Sequence, residues 1–278
     1  MVYSKLQKKE GLSPVQSHIA DYVLEHTDRV LTISMHELAE STNTSTATIT
    51  RFCKKLGVEG YKEFQISLLR SVNVHMMMTE EQIIINEKSN EVELVDSIGT
   101  LQKRAITATQ MLLTKELVSE TIAEINKAEN LYGVGISDSF ISVHDFQNKL
   151  LKVSKFVRIA FLQPEQTFLC AQATPKDAAI IISYSGKSAE VVNACQILKK
   201  RGAKIIAMTS DESSPVGRLA THIIPLPPLR EEDELVRTVF SYAAISYAIN
   251  LIFASMYRFE YSKNQDYIVK VKDEYLNK

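Results

Sequence analysis

Apolar positions recur along this chain at two different periods. Over residues 12–70 they fall three and four apart: Val15, Ile19, Tyr22 and Val23 share one helical face, and Ile49, Phe52, Cys53 and Leu56 share another. Start and stop signals frame both faces. Ser13-Pro14 with Gln16, and Ser34 with Glu37, have capping-box spacing, and Ile33 with Leu38 fits a hydrophobic staple around the second. Ser41-Thr42-Asn43-Thr44 interrupts the pattern, and Asn43 is the residue there that best tolerates left-handed backbone. Ser45 opens the next helix and Gly57 closes it. The spacing predicts a helix over 34–40, a four-residue turn, a helix over 45–56, and a further helix carrying Tyr61, Phe64 and Leu68.

Residues 73–92, with Met76-Met77-Met78 among polar and acidic neighbours, read as a linker. Past it, two amphipathic helical stretches (93–113 and 115–127) lead into short apolar runs at 130–133, 156–160, 178–183, 204–209 and 222–226. Helical segments near 137–151, 164–171, 188–201 and 215–219 separate them, and a long apolar helix over 234–257 follows a proline-rich loop. The 178–183 run is almost wholly apolar, as in a parallel sheet covered on both faces. Strand and helix alternating at this spacing imply a doubly wound parallel α/β domain. The expected fold class is α + α/β: an all-α domain over 1–72, a linker over 73–92 and an α/β domain over 93–278.

Composition narrows the function classes. Lys+Arg 32 against Asp+Glu 33 gives a formal charge of −1, so the chain is no polybasic nucleic-acid coat. Charge is local instead: Arg51, Lys54, Lys55, Lys62 and Arg70 face only Glu59 and Glu63 over 44–70. The three cysteines, Cys53, Cys170 and Cys195, form no CxxC pair and no disulfide framework, which points to a reducing cytoplasm. No apolar run approaching ~20 residues and no secretory leader is read from the chain, so no membrane partner is expected.

Two constellations carry chemistry. On the 45–56 helix, Ile49, Phe52 and Leu56 turn inward, leaving Ser45, Thr46, Thr48, Thr50, Arg51, Lys54 and Lys55 as candidates for phosphate and base contacts on double-stranded DNA. A small helical bundle with a solvated basic face would have the same layout. In the α/β region, Gly133-Val134-Gly135-Ile136-Ser137 and Ser183-Tyr184-Ser185-Gly186-Lys187-Ser188 each follow a strand and open a helix. Such turns place backbone amides, hydroxyls and a positive helix end at the carboxyl edge of a sheet, which suits a phosphate; ordinary capped turns are the plainer reading. The first turn lacks the third glycine of a dinucleotide fingerprint, and Ile181 stands where a P-loop needs glycine, so neither NAD nor ATP is supported. No cofactor and no metal is expected.

Residues 12–70 resemble the DNA-binding domain of RpiR-type transcriptional regulators, through Glu37-Leu38-Ala39, the Ser45/Ala47-Thr48 helix start, Arg51-Phe52-Cys53-Lys54-Lys55-Leu56-Gly57 and Tyr61-Lys62-Glu63-Phe64. Residues 130–226 resemble the SIS (sugar isomerase) domain that follows it in such regulators: Ser137 falls on the first-motif serine, and Ser183, Ser185 and Ser188 fall on its SxSGxT/S motif. The resemblance implies a homodimeric or homotetrameric regulator that grips operator DNA and answers to a phosphosugar held by Gly135, Ser137, Ser183, Ser185, Gly186 and Ser188; repression is the more usual outcome. Two positions depart from the pattern. Asp138 follows Ser137, where a carboxylate would repel phosphate, and Ser241-Tyr242 stands in place of a Ser-Arg pair. The rival is a SIS-type sugar-phosphate isomerase, with His144, Glu190 and His222 as its candidate bases and no spacing that pairs them. No catalytic residue is therefore assigned.

Overall fold

The computed structural model describes residues 2–79, 85–229 and 233–276. The chain divides into two compact units, Met1–Gln82 and Ile83–Lys278.

The first unit is all helical: α1 (Val2–Lys8), α2 (Pro14–Glu25), α3 (Thr27–Val30), α4 (Met35–Ser41), α5 (Thr46–Leu56) and α6 (Tyr61–Thr79). Its core joins Leu6, Ile19, Val23, Leu38, Ile49, Phe52, Phe64 and Leu68, all fully buried. Both expected capping boxes are present, at Ser13–Gln16 and Ser34–Glu37. Two features differ from the expectation. The segment before Ser13 forms α1, which buries Val2 and Leu6 and packs on α6. The last helix runs on to Thr79, well into the stretch read as a linker, and buries Val74. The part of that linker at 80–84 lies outside the described residues, as do 230–232 of the proline-rich loop.

The second unit opens with α7 (Glu91–Leu112) and α8 (Lys115–Lys127). Strands and helices then alternate: β1 (Leu131–Val134), α9 (Asp138–Leu151), β2 (Val157–Arg158), α10 (Gln163–Ala171), β3 (Ala178–Ile182), α11 (Ala189–Arg201), β4 (Lys204–Thr209), α12 (Pro215–Leu219) and β5 (His222–Pro225). All pairings are parallel, in the order β2-β1-β3-β4-β5. β1, β3 and most of β4 are fully buried, as the unbroken apolar runs require. The chain ends in α13 (Glu234–Phe259), α14 (Tyr261–Val271) and a π-helical turn over Lys272–Leu276. At 26 residues, α13 is long and apolar enough to cross a membrane by length and composition, which corrects the expectation that no such run exists. Here it packs on α7, α8 and α9, burying Val236, Phe240, Ala244, Ile245, Ala248 and Ile249.

The amino edge of the sheet is pinned by Asp177, which is buried. Its carboxylate accepts from the Asn130 N–H (3.0 Å) and side-chain amide (2.8 Å), and from the Thr174 N–H (2.8 Å) and hydroxyl (2.9 Å). Burial pushes this carboxyl up, but the donors on Asn130 and Thr174 outweigh it and hold the group below its ordinary value. The stabilisation is therefore present above the unfolded-state value and is lost as pH falls through the folded one. Asp177→Asn is expected to cost about 1 kcal/mol at pH 7 and to flatten the acid limb of stability below about pH 4. Urea unfolding across that range checks it; an acid limb as steep as the wild type's would show that another group carries it.

The three thiols are buried, and burial pushes Cys53 and Cys170 up to about 11 and Cys195 up to about 12, so none is poised as a nucleophile.

Candidate functional site

In the first unit, α4 and α5 form a helix pair whose turn is closed by its own backbone. Asn43 adopts φ 49°, and its N–H donates to the Glu40 carbonyl (3.1 Å) while the Thr44 N–H donates to that of Ala39 (2.8 Å). This is a complete Schellman motif, with asparagine supplying the left-handed residue. The Thr42 hydroxyl donates back to the Leu38 carbonyl (2.8 Å) and meets the Thr44 hydroxyl (2.9 Å). The angle at which α4 enters is fixed from behind: the Tyr61 hydroxyl and the Gln65 amide of α6 both donate to the carbonyls of Val30 and Ile33.

α5 buries Ile49, Phe52, Cys53 and Leu56, with Phe52 edge-on to Phe64 at 5.9 Å between centroids. Of the seven proposed contact residues, Arg51, Lys54 and Lys55 are exposed on the opposite face. The Arg51 guanidinium donates to the Thr48 hydroxyl (3.2 Å), which aims it along the amino-terminal half of the helix. The Ser45 hydroxyl accepts from the Thr48 N–H (3.2 Å) and so serves the cap. Thr46 is half-buried, and the Thr50 hydroxyl donates to the Thr46 carbonyl (3.0 Å) and also contacts the Met35 sulfur of α4 (3.7 Å), so Thr50 turns further inward than periodicity suggested. At the other end the Lys5 ammonium donates to the Leu56 carbonyl (3.0 Å), placing a positive charge at the negative end of the helix. α1, which the sequence reading lacked, therefore buttresses α5.

In the second unit, strand order reverses between β1 and β3, and the turns after these two strands carry the serines. In open α/β sheets this switch point is where a crevice forms outside the carboxyl ends. After β1, Gly135 sits where a Cβ would lie 2.8 Å from the Ser139 carbonyl oxygen, and the buried Gln166 amide donates to the Gly135 carbonyl (3.2 Å). Ser137 has φ 52° and ψ −127°, a costly backbone for a non-glycine residue. After β3, Ser183 is buried and its N–H donates to the Met208 carbonyl (3.1 Å). Tyr184 was not foreseen as a structural anchor: its hydroxyl donates to the Pro227 carbonyl (2.7 Å), and its carbonyl accepts from the Ser210 N–H and hydroxyl (both 2.8 Å). Burial pushes the Tyr184 phenol far above its ordinary value, so it stays a donor. Gly186, at φ 65°, lies where a Cβ would collide with the Ser214 hydroxyl, and its carbonyl accepts from the Val216 N–H (3.1 Å). Ser185 and Lys187 are exposed beside it.

Among the helices that begin at a serine, the capping pattern sets these two turns apart. Ser13, Ser34, Ser45, Asn90, Thr114, Ser214 and Asp233 each close the first turn of their helices with a side-chain bond. Ser137 at α9 and Ser188 at α11 make no such bond. Neither hydroxyl is spent on a cap, and the two follow neighbouring strands; at α9 the backbone serves the first turn instead, the Ser139 N–H donating to the Ile136 carbonyl (3.1 Å) and the Phe140 N–H to that of Ser137 (2.9 Å). Asp138 is exposed in the first turn of α9 and Glu190 in that of α11. Of the candidate bases, His222 begins β5 at the amino edge and bonds the Thr121 hydroxyl (2.7 Å), which places it at the end of the sheet away from the serine turns.

The comparisons with known proteins agree with both halves. A family model described as a helix-turn-helix domain of the rpiR family matches residues 3–74, and one described as a SIS domain matches residues 124–255. An uncharacterized HTH-type transcriptional regulator of Haemophilus influenzae is 26% identical over 219 residues, covering 77% of this chain and 75% of the relative. The uncharacterized HTH-type transcriptional regulator YbbH of Bacillus subtilis is 24% identical over 266 residues, covering 95% of this chain and 93% of its own. Among solved structures, the NanR protein of Vibrio vulnificus, complexed with ManNAc-6P, shares the fold with a TM-score of 0.58 at 21% identity over 98% of both chains.

Proposed function

The chain belongs to the rpiR family of helix-turn-helix transcriptional regulators that carry a SIS domain, and from that premise we propose that its operator affinity is set by a phosphosugar seated on the serine turns after β1 and β3. The observation that carries this reading is the pair of serines at the switch point: the Ser137 and Ser188 hydroxyls close no cap, and the first turn of α11 begins without a side-chain cap. Gly135, Ser183, Ser185 and Gly186 shape the cradle between them. NanR, of the same fold, is complexed with ManNAc-6P, an N-acetylated sugar phosphate, which favours this class of ligand.

The protein acts as a cytoplasmic regulator and not as an isomerase: nothing pairs His144, Glu190 and His222 as a proton relay, and a reading helix has no use in sugar isomerisation. Arg51, Lys54 and Lys55 supply the operator contacts, with Ser45, Thr46, Thr48 and Thr50 at the amino-terminal half of the same helix. One short reading helix spans too few base pairs for specificity, so a homodimer or higher even assembly presents two of them to a two-fold operator. To change operator affinity a hundredfold, the effector must prefer one arrangement of the reading heads by about 2.7 kcal/mol.

Thermal unfolding of the full-length protein against a panel of sugar and amino-sugar phosphates tests the reading. A true effector at about 100 times its Kd adds about 2.7 kcal/mol, a shift of several degrees. In Ser137→Ala/Ser188→Ala the ligand-induced shift should vanish while ligand-free stability changes by only a few tenths of a kcal/mol, because neither hydroxyl closes a cap. A double variant that still responds to the ligand would move the site elsewhere.

A further inference from the structure

A phosphosugar has a sugar end as well as an anion, and aromatic residues beside the serine turn after β1 offer that end a surface. α9 starts at Asp138, just after Ser137, and Phe140 is its third residue. Phe140 thus sits in the first turn of α9, three residues from Ser137. His144 follows one turn on. Phe161, just past β2, places its ring edge-on to Phe140 at 5.7 Å between centroids and 5.8 Å from His144. β2 is the neighbour of β1 on the side away from β3. Phe161 thus flanks the β1 turn at the carboxyl edge, opposite the Ser183–Ser188 turn.

Phe161 is 68% exposed. A ring in a structural role would be covered, whereas this one is held in solvent by two aromatic neighbours and contributes little to the core. Ligand pockets pair a few polar groups that fix orientation with aromatic surface that takes the apolar part of the ligand. Resting on the effector reading above, we propose that Phe140, His144 and Phe161 form the wall against which the sugar ring stacks. The site then selects phosphorylated pyranoses, whose rings present a C–H face, over short open-chain phosphates and inorganic phosphate. His144 adds ring nitrogens within reach of a sugar hydroxyl.

Isothermal titration of the full-length protein tests this with hexose 6-phosphates (with and without a 2-acetamido group), glycerol 3-phosphate and inorganic phosphate. Phe161→Ala should weaken the best pyranose phosphate about tenfold, leave inorganic phosphate unchanged, and be rescued by Phe161→Tyr. Unchanged pyranose affinity in Phe161→Ala overturns the wall, as does an equal loss for inorganic phosphate. If sedimentation shows Phe161→Ala altering the assembly while sugar affinity stays at the wild-type value, the ring belongs to a contact between copies and the wall is overturned. Failure of the effector reading itself looks different: the wild-type protein would take no member of the panel, and the wall would fall with it.

Discussion

Gly186→Ala is expected to lower the stability of the α/β unit by about 3 kcal/mol, which for a unit of this size is a drop of roughly 6–12 °C in Tm. Two independent costs add. At φ 65° an L-residue meets its own carbonyl, worth roughly 1–2 kcal/mol. The new methyl also collides with the Ser214 hydroxyl, which cannot step aside because it caps α12 by accepting from the Gly217 N–H (3.1 Å). The turn is further tied down by the bond from the Val216 N–H to the Gly186 carbonyl. Ser214→Gly in the same chain should restore most of the collision part, leaving the contact with the Thr209 hydroxyl at 2.9 Å and the backbone part, since glycine serves as a cap at a cost of only a few tenths of a kcal/mol. Calorimetry on the single and double variants separates the two. A Gly186→Ala protein that melts with the wild type would mean that the turn does not have this geometry.

On the DNA side, Arg51→Ala should weaken operator binding by about 2 kcal/mol, roughly thirtyfold, without lowering the melting temperature. The side chain is exposed and its hydrogen bond is to the Thr48 hydroxyl on its own helix, so folding gains little from it. The salt dependence tells which contact is lost. A phosphate contact removes about one unit from the slope of log affinity against log salt, whereas a base contact leaves the slope and relaxes sequence preference. Fluorescence anisotropy on a selected operator duplex at low and moderate salt measures both. Thr50→Ala is the internal comparison: with its hydroxyl committed to Thr46 and Met35, it should change affinity far less. Wild-type affinity in Arg51→Ala would take this residue out of the interface.

How much of this was legible in the residues follows from what each signal measures. Capping boxes and left-handed residues are local chemistry, so Ser34–Glu37, Asn43 and Gly57 announced the helix pair and its turn, and the structure has them as read. The strands were readable because buried parallel strands are apolar throughout; β2 shrank to Val157–Arg158 because it pairs only with β1 at the sheet edge. α1 escaped because Val2 and Leu6 are too few to set a period, and its role depends on Lys5 meeting a carbonyl 51 residues away. α14 escaped because it is nearly all exposed, burying only Asn264, so no apolar stripe marks it. At the serine turns the residue types were readable but not their use. A serine before a helix has the same letter whether its hydroxyl closes the first turn or leaves it open, and that distinction singles out Ser137 and Ser188.

A helix start without its cap carries a standing cost of about 1 kcal/mol. In the α/β unit α9, α10, α11 and α14 begin without a side-chain cap, and of these only α9 and α11 begin at a serine, after adjacent strands. On the proposed effector reading, a ligand that meets the Ser137 and Ser188 hydroxyls would also stand at the start of α11, in place of its missing cap. Sensing, on that reading, would be the completion of secondary structure that the chain by itself leaves unfinished.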